Sequence, residues 1–147
     1  MGIEASAEIH RPVEVVYEYL LDLERNVPAA DSRVQSVVRT NSGPPGAGAE
    51  YVMRQPVFGK VREQQVRITA AEPNRRIEMD ASFGPVRPRL TFAFERTETG
   101  TRVTVRGDSR PVGPFRLVAP LMDRIGERNW RRRLGLIKAR LEGSTSS

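Results

Sequence analysis

The 147-residue chain contains no cysteine, a single histidine and a single tryptophan. Without cysteine there are no disulfides, no thiol nucleophile and no thiolate metal site, and a reducing cytoplasm is the compartment this fits. One histidine, His10, leaves any metal site to rest on carboxylates, which nothing in the sequence groups together, so no metal and no cofactor are expected. No apolar run approaches the length of a membrane span, and Met1-Gly2-Ile3-Glu4-Ala5 lacks the basic and apolar regions of a secretory signal. The glycine-rich stretch Gly43 to Gly48 lacks the Gly-Lys-Ser/Thr ending of a phosphate-binding loop and reads as a turn. No Gly-x-Ser-x-Gly elbow is present.

What the chain does have is length and patterning. A chain of this size buries roughly 70% of the surface it exposes when unfolded, enough for one domain without metal or disulfide support. Residues 1–142 are expected to form that domain, and 143–147, Gly-Ser-Thr-Ser-Ser, a disordered tail. The net charge is +6. Between Arg116 and Arg140, eight basic residues face only Asp123 and Glu127, so this segment carries the whole excess. Arg124, Arg128, Arg131 and Arg132 are the residues through which nucleic acid would be met. A solvated helix face is the preferred reading, because no aromatic interleaving or nucleic-acid motif accompanies them.

Ile3 to Ile9 alternates apolar with polar residues and predicts a half-buried strand. Pro12 opens a helix carrying Val15, Val16, Tyr19, Leu20 and Leu23 on one face and ending near Glu24. Asn26 to Asp31 reads as a short connecting helix or turn rather than a site. Strands follow over 34–40, 49–55, 60–71, 76–83, 87–97 and 101–107, punctuated by turns at 41–48, Pro56-Val57-Phe58-Gly59, Glu72-Pro73-Asn74-Arg75, Gly84-Pro85 and Glu98-Thr99-Gly100. A long helix spans 114–141. In it Val118, Leu121, Met122 and Ile125, followed by Trp130, Leu134, Ile137 and Leu141, predict one broad apolar stripe that must be buried.

Strand alternation groups Tyr51, Met53 and Gln55 on one face, Gln64 with Val66 and Ile68, Met79 and Phe83 with Ile77, and Phe92 with Leu90 and Phe94. Most of these serve as core. Gln55 and Gln64 continue apolar faces, so each is a candidate to bring an amide near the helix, with exposure at a strand end as the ordinary alternative. Asn129, four residues after Ile125, is the polar helix residue expected on the apolar side. Met53, Met79 and Met122 offer an adaptable lining, and Trp130 borders the helix stripe. His10 reads as a surface turn residue, while Glu63 and Asp80 are expected to point outward.

The order of these motifs resembles the START-like (SRPBCC) superfamily, and within it the polyketide cyclase/dehydrase-type proteins. The likeness is carried by Ile9-His10-Arg11-Pro12 at the first helix, Asp22-Leu23-Glu24-Arg25 at its end and the Gly43–Gly48 loop. Further along it is carried by the Pro73-Asn74-Arg75-Arg76 turn, the Gly100–Val105 strand and Gly113-Pro114-Phe115 before the last helix. The resemblance covers roughly residues 3–142. It implies an α+β helix-grip fold, a seven-stranded antiparallel sheet wrapped around a long C-terminal helix, with one or two short helices after the first strand. It implies an apolar cavity between the two that binds a small hydrophobic or amphipathic ligand, such as a lipid, polyketide or isoprenoid-like molecule. On that view the ligand residues are Tyr51, Met53, Gln55, Gln64, Met79, Phe83, Phe92, Met122, Ile125, Asn129 and Trp130. The alternatives are a polyketide cyclase/dehydrase-type enzyme, with no catalytic residue assigned, and a module associating with RNA, ribosome or membrane surface through the basic helix. Monomer and homodimer both stay open.

Overall fold

The structure is a computed structural model that describes residues 2–57, 59–82, 87–108 and 115–143, the side chains of 57, 115, 116, 119 and 122 excepted. Its elements run β1 (Gly2–Ile9), α1 (Val13–Leu21), α2 (Leu23–Ala30), β2 (Ser36–Arg39), β3 (Glu50–Val57), β4 (Lys60–Glu72), β5 (Arg76–Ser82), β6 (Arg89–Arg96), β7 (Thr101–Asp108) and α3 (Phe115–Gly143). The strands form one seven-stranded sheet in the order β1-β7-β6-β5-β4-β3-β2, every pair antiparallel. This is the helix-grip arrangement, with α3 packed across the sheet and against β1. Asn74 closes the β4–β5 turn with φ 63°, a left-handed conformation that asparagine tolerates.

Register explains which side chains reach the helix side. Tyr51 pairs with Val66, Met53 with Gln64, Ile68 with Met79, Ile77 with Phe92, and Phe92 with Val105. These residues share one face because strand side chains alternate, and Tyr51, Met53, Val66, Ile68, Ile77, Met79, Phe92 and Val105 are all buried there. Glu63 and Asp80 have the opposite parity: Glu63 is exposed, and Asp80 pairs with Arg89 at 3.0 Å.

The long helix departs from the single stripe that its sequence predicts. Leu134, Ile137 and Leu141 are buried and Trp130 is partly buried, but Leu117, Val118, Leu121 and Ile125 are exposed. The reason is helical phase. Leu121 and Trp130, like Ile125 and Leu134, are nine residues apart, or about two and a half turns at 3.6 residues per turn, which places them on opposite sides. Gly126 lies on the buried side, where an added Cβ would sit 3.6 Å from the Ile3 side chain.

The far end of α3 is tied to the β1–α1 corner. Lys138 Nζ donates to the Glu8 carbonyl and pairs with Glu142, both at 2.6 Å, and Glu142 accepts from the backbone N–H of His10 at 3.0 Å. His10 itself is exposed. The β6–β7 turn closes on the same corner: a Cβ at Gly100 would lie 2.1 Å from the Ile9 carbonyl oxygen, so no larger residue fits. Thr101, fully buried, donates its hydroxyl to the Arg11 carbonyl at 2.9 Å.

Candidate functional site

Five polar side chains converge where α3 meets the α2–β2 connection and the β3–β4 hairpin. Asp31, just after α2, is fully buried. Its Oδ1 accepts from the backbone N–H of Arg33 at 3.0 Å, a local turn that fixes the carboxylate direction. From α3, Arg132 reaches both carboxylate oxygens, at 3.3 and 2.9 Å, and Arg133 donates from Nε to Oδ2 at 3.1 Å. Arg133 then extends inward, its Nη2 donating to Gln55 Oε1 at 2.9 Å, and Gln55 Nε2 donates to Gln64 Oε1 at 3.0 Å. A continuous chain of hydrogen bonds, charge-assisted as far as Gln55, thus runs from the helix to the buried face of the sheet.

The surroundings of Arg133 are apolar on one side. Its guanidinium carbon lies 5.0 Å from the Trp130 ring centroid, a cation–π contact, and Trp130 meets Phe92 edge-on at 5.3 Å. The Arg133 side chain is only 13% exposed. Burial pulls its pKa down while the Asp31 carboxylate opposes that pull. For Asp31 burial acts to raise the pKa. Hydrogen bonds from Arg132, the Arg33 backbone and Arg133 outweigh it and hold the carboxyl below its ordinary value of 3.8. The pair is therefore ionised at neutral pH, and Asp31 is too firmly held as a carboxylate to work as a general acid there.

Three donor atoms in this cluster have no acceptor among the described residues: Arg132 Nε, which is buried, Arg133 Nη1 and Gln64 Nε2. A charged and a neutral donor beside an aromatic wall suit an acceptor oxygen attached to an apolar body. Tyr51, at the other end of the β3 face, is buried with the Arg39 guanidinium 5.6 Å from its ring centroid, and burial raises its phenol pKa. Among the described residues no group of His, Cys, Asp and Glu could hold a metal ion.

Of the residues predicted from sequence, Tyr51, Met53, Gln55, Gln64, Met79 and Phe92 share the buried face, and Trp130 faces them from α3. Gln55 and Gln64 are half-buried and bonded to each other rather than exposed at a strand end. Asn129 is exposed, and Ile125 is 38% exposed on the outer side of α3, so neither faces the sheet. Ile125 follows the phase of Leu121, not that of Trp130, and Asn129 lies about a quarter-turn from each. Phe83 and the side chain of Met122 lie outside the described residues. Asp31 and Arg133 are the residues that sequence reasoning missed, and Arg132, expected as a surface cation, is engaged with Asp31.

A separate open depression of about 370 Å³ lies between the β1–α1 corner and the β6–β7 turn. Its Arg96 and Glu14 pair with each other at 2.7 Å, and none of the predicted ligand residues lines it.

A seven-stranded antiparallel sheet gripping a long C-terminal helix, with two short helices after β1, defines the helix-grip class of START-like proteins. Residues 2–142 match the family described as polyketide cyclase / dehydrase and lipid transport, and the chain belongs to that family. Solved structures share the fold. TTHA0849 from Thermus thermophilus is 20% identical with a TM-score of 0.78, the match covering 98% of this chain and 99% of that one. A START superfamily protein from Mycobacterium smegmatis is 14% identical with a TM-score of 0.76, covering 97% of each chain. The di-domain ARO/CYC StfQ from the steffimycin biosynthetic pathway is 17% identical with a TM-score of 0.79, covering 99% of this chain and 52% of that one. No curated protein matches the sequence.

Proposed function

We propose that this protein binds a small amphipathic ligand between its sheet and α3. The apolar body of the ligand lies along Met53, Met79, Phe92 and Trp130, and an acceptor oxygen meets Arg133 Nη1 and Gln64 Nε2. The observation that carries this reading is Arg133, a nearly buried cation with an unused donor beside an aromatic wall. A hydrogen bond to a charged group contributes about 1.5–3 kcal/mol, so a ligand oxygen that accepts from it gains what a pure hydrocarbon cannot. A carboxylate, phosphate or ketone on a lipid, polyketide or isoprenoid-like skeleton meets that requirement. Family membership supports the hydrophobic part of the reading, and the lack of cysteine fits a cytoplasmic site of action.

Trp130, the only tryptophan, reports on this site. Titration with a long-chain carboxylate is expected to change its fluorescence saturably, with the matched alkane binding at least about tenfold more weakly, since one charge-assisted bond contributes about 1.5–3 kcal/mol. Equal affinity for the two probes would contradict the polar anchor.

A cyclase-type activity is the second reading, favoured by one feature: a fixed guanidinium stabilises an enolate oxygen as well as a ground-state carbonyl. It further requires a group that moves the proton. Aldol cyclisation and dehydration of a poly-β-keto probe, abolished in Arg133→Met, would establish it, whereas binding without turnover leaves the first reading standing.

A further inference from the structure

The outer side of α3 carries a surface that the ligand site does not use. Leu117 is 87% exposed and Leu121 59%, with Val118 and Ile125 flanking them on the same side. Arg124 and Arg128 follow Leu121 at three and seven residues, so they continue the same face by one and two turns. Both are exposed and make no ion pair among the described residues. Arg131, beside them, has only a 3.9 Å approach to Glu127. The face is thus aliphatic over its first two turns and cationic over the next two.

We propose that this face docks on the surface of an anionic phospholipid bilayer. Aliphatic side chains at the N-terminal half enter the acyl boundary, while Arg124, Arg128 and Arg131 reach the lipid phosphates from its edge. Charge selects this occupant over the others. A second copy of the chain would bring a like-charged helix, the one holding the whole +6 excess, against its own image. A nucleic acid would satisfy the arginines but leave four aliphatic residues against a polyanion, with no exposed aromatic among the described side chains of the face for a base to stack on. Docking is peripheral, since no helix among the described residues is long and apolar enough to cross a membrane. The opposite side of the same helix carries Trp130 and Arg133, so a docked helix would set one wall of the ligand site beside the bilayer. The proposal itself stands on the outer face alone and survives if the ligand reading fails.

The test is flotation of the full chain with vesicles of phosphatidylcholine alone and of phosphatidylcholine mixed equally with phosphatidylserine. Binding is expected only with the anionic vesicles, falling steeply with added salt. Leu121→Asp should abolish it. Arg124→Glu with Arg128→Glu should weaken it at least about tenfold, each basic residue near the surface contributing about 1 kcal/mol. Arg25→Glu, an exposed charge on α2, should change it less than about twofold. All of these positions are exposed, so unchanged thermal unfolding certifies the variants. Equal binding to neutral vesicles, no binding to either, or an Arg25→Glu loss matching that of the α3 charges would overturn the proposal. So would a dimer dispersed by Leu121→Asp, or salt-sensitive binding to RNA but not to vesicles.

Discussion

Asp31 and Arg133 stand 102 residues apart in sequence and are joined by a 3.1 Å hydrogen bond in which both side chains are withdrawn from water. Neither charge is comfortable alone. Asp31 is fully buried and Arg133 nearly so, and each is tolerated because the other, with Arg132 and Gln55, supplies partners. The contact also pins α3 to the α2–β2 connection, so the polar end of the site and the position of the helix are set by the same bond.

Removing one partner from such a pair leaves an uncompensated buried charge. Asp31→Ala is expected to cost about 3–5 kcal/mol, read as a lower urea midpoint with little change in slope. A loss below about 1 kcal/mol, the range of exposed pairs, would mean that the pair is solvated in practice.

Acid should act through the same residue. The folded Asp31 pKa lies below its ordinary value of 3.8, so below that value the unfolded chain binds more protons than the folded one. Its contribution to stability is complete above the unfolded pKa and is lost as pH falls through the folded pKa. The fall in stability below about pH 4 should accordingly be shallower in Asp31→Asn than in the parent protein, as measured by chemical unfolding at a series of pH values.

The two faces of α3 predict opposite outcomes for chemically identical changes. Leu134→Ala opens a cavity under the helix and should cost about 2–5 kcal/mol. Leu121→Ala changes a water-exposed side chain and should fall within about 0.5 kcal/mol of zero. Thermal unfolding of the two variants distinguishes the helix as described from one with a single buried stripe.

The β6–β7 turn offers a steric test far from the ligand site. Gly100→Ala places a methyl 2.1 Å from the Ile9 carbonyl oxygen, a backbone atom that cannot move without shifting β1. A loss of about 1–3 kcal/mol is expected, as for overpacked interiors, with Trp130 fluorescence unchanged. A neutral effect would show that the corner yields freely.

Much of the fold was legible because strand alternation and turn residues are local signals. The period-two faces of Tyr51-Met53-Gln55 and of Ile77 with Met79, and the turn at Asn74, required no knowledge of the rest of the chain. The helix was legible in extent but not in orientation. Leucine and isoleucine recur along it at helical spacing, yet the nine-residue separation of Leu121 from Trp130 carries a half-turn that splits the stripe. Counting the phase across the Ile125–Trp130 gap reveals it and withdraws Ile125 from the inner face, while Asn129 falls about midway between the two sides. Asp31 was not legible in this way. In sequence it is a polar residue ending a connector, and only folding brings it to Arg132 and Arg133, whose place in a run of arginines resembles any solvated helix surface. Gln55 and Gln64 gave a usable hint, since each extends an apolar strand face.

The central claim is a retained amphipathic ligand anchored at Arg133 and Gln64. Native mass spectrometry of protein purified from its own host tests it most directly, with the parent chain and Gln64→Leu measured side by side. The account predicts a bound small molecule bearing a carboxyl, carbonyl or phosphate oxygen on an apolar skeleton, strongly depleted in the variant. A parent protein carrying no adduct, or an adduct retained equally by Gln64→Leu, would contradict it.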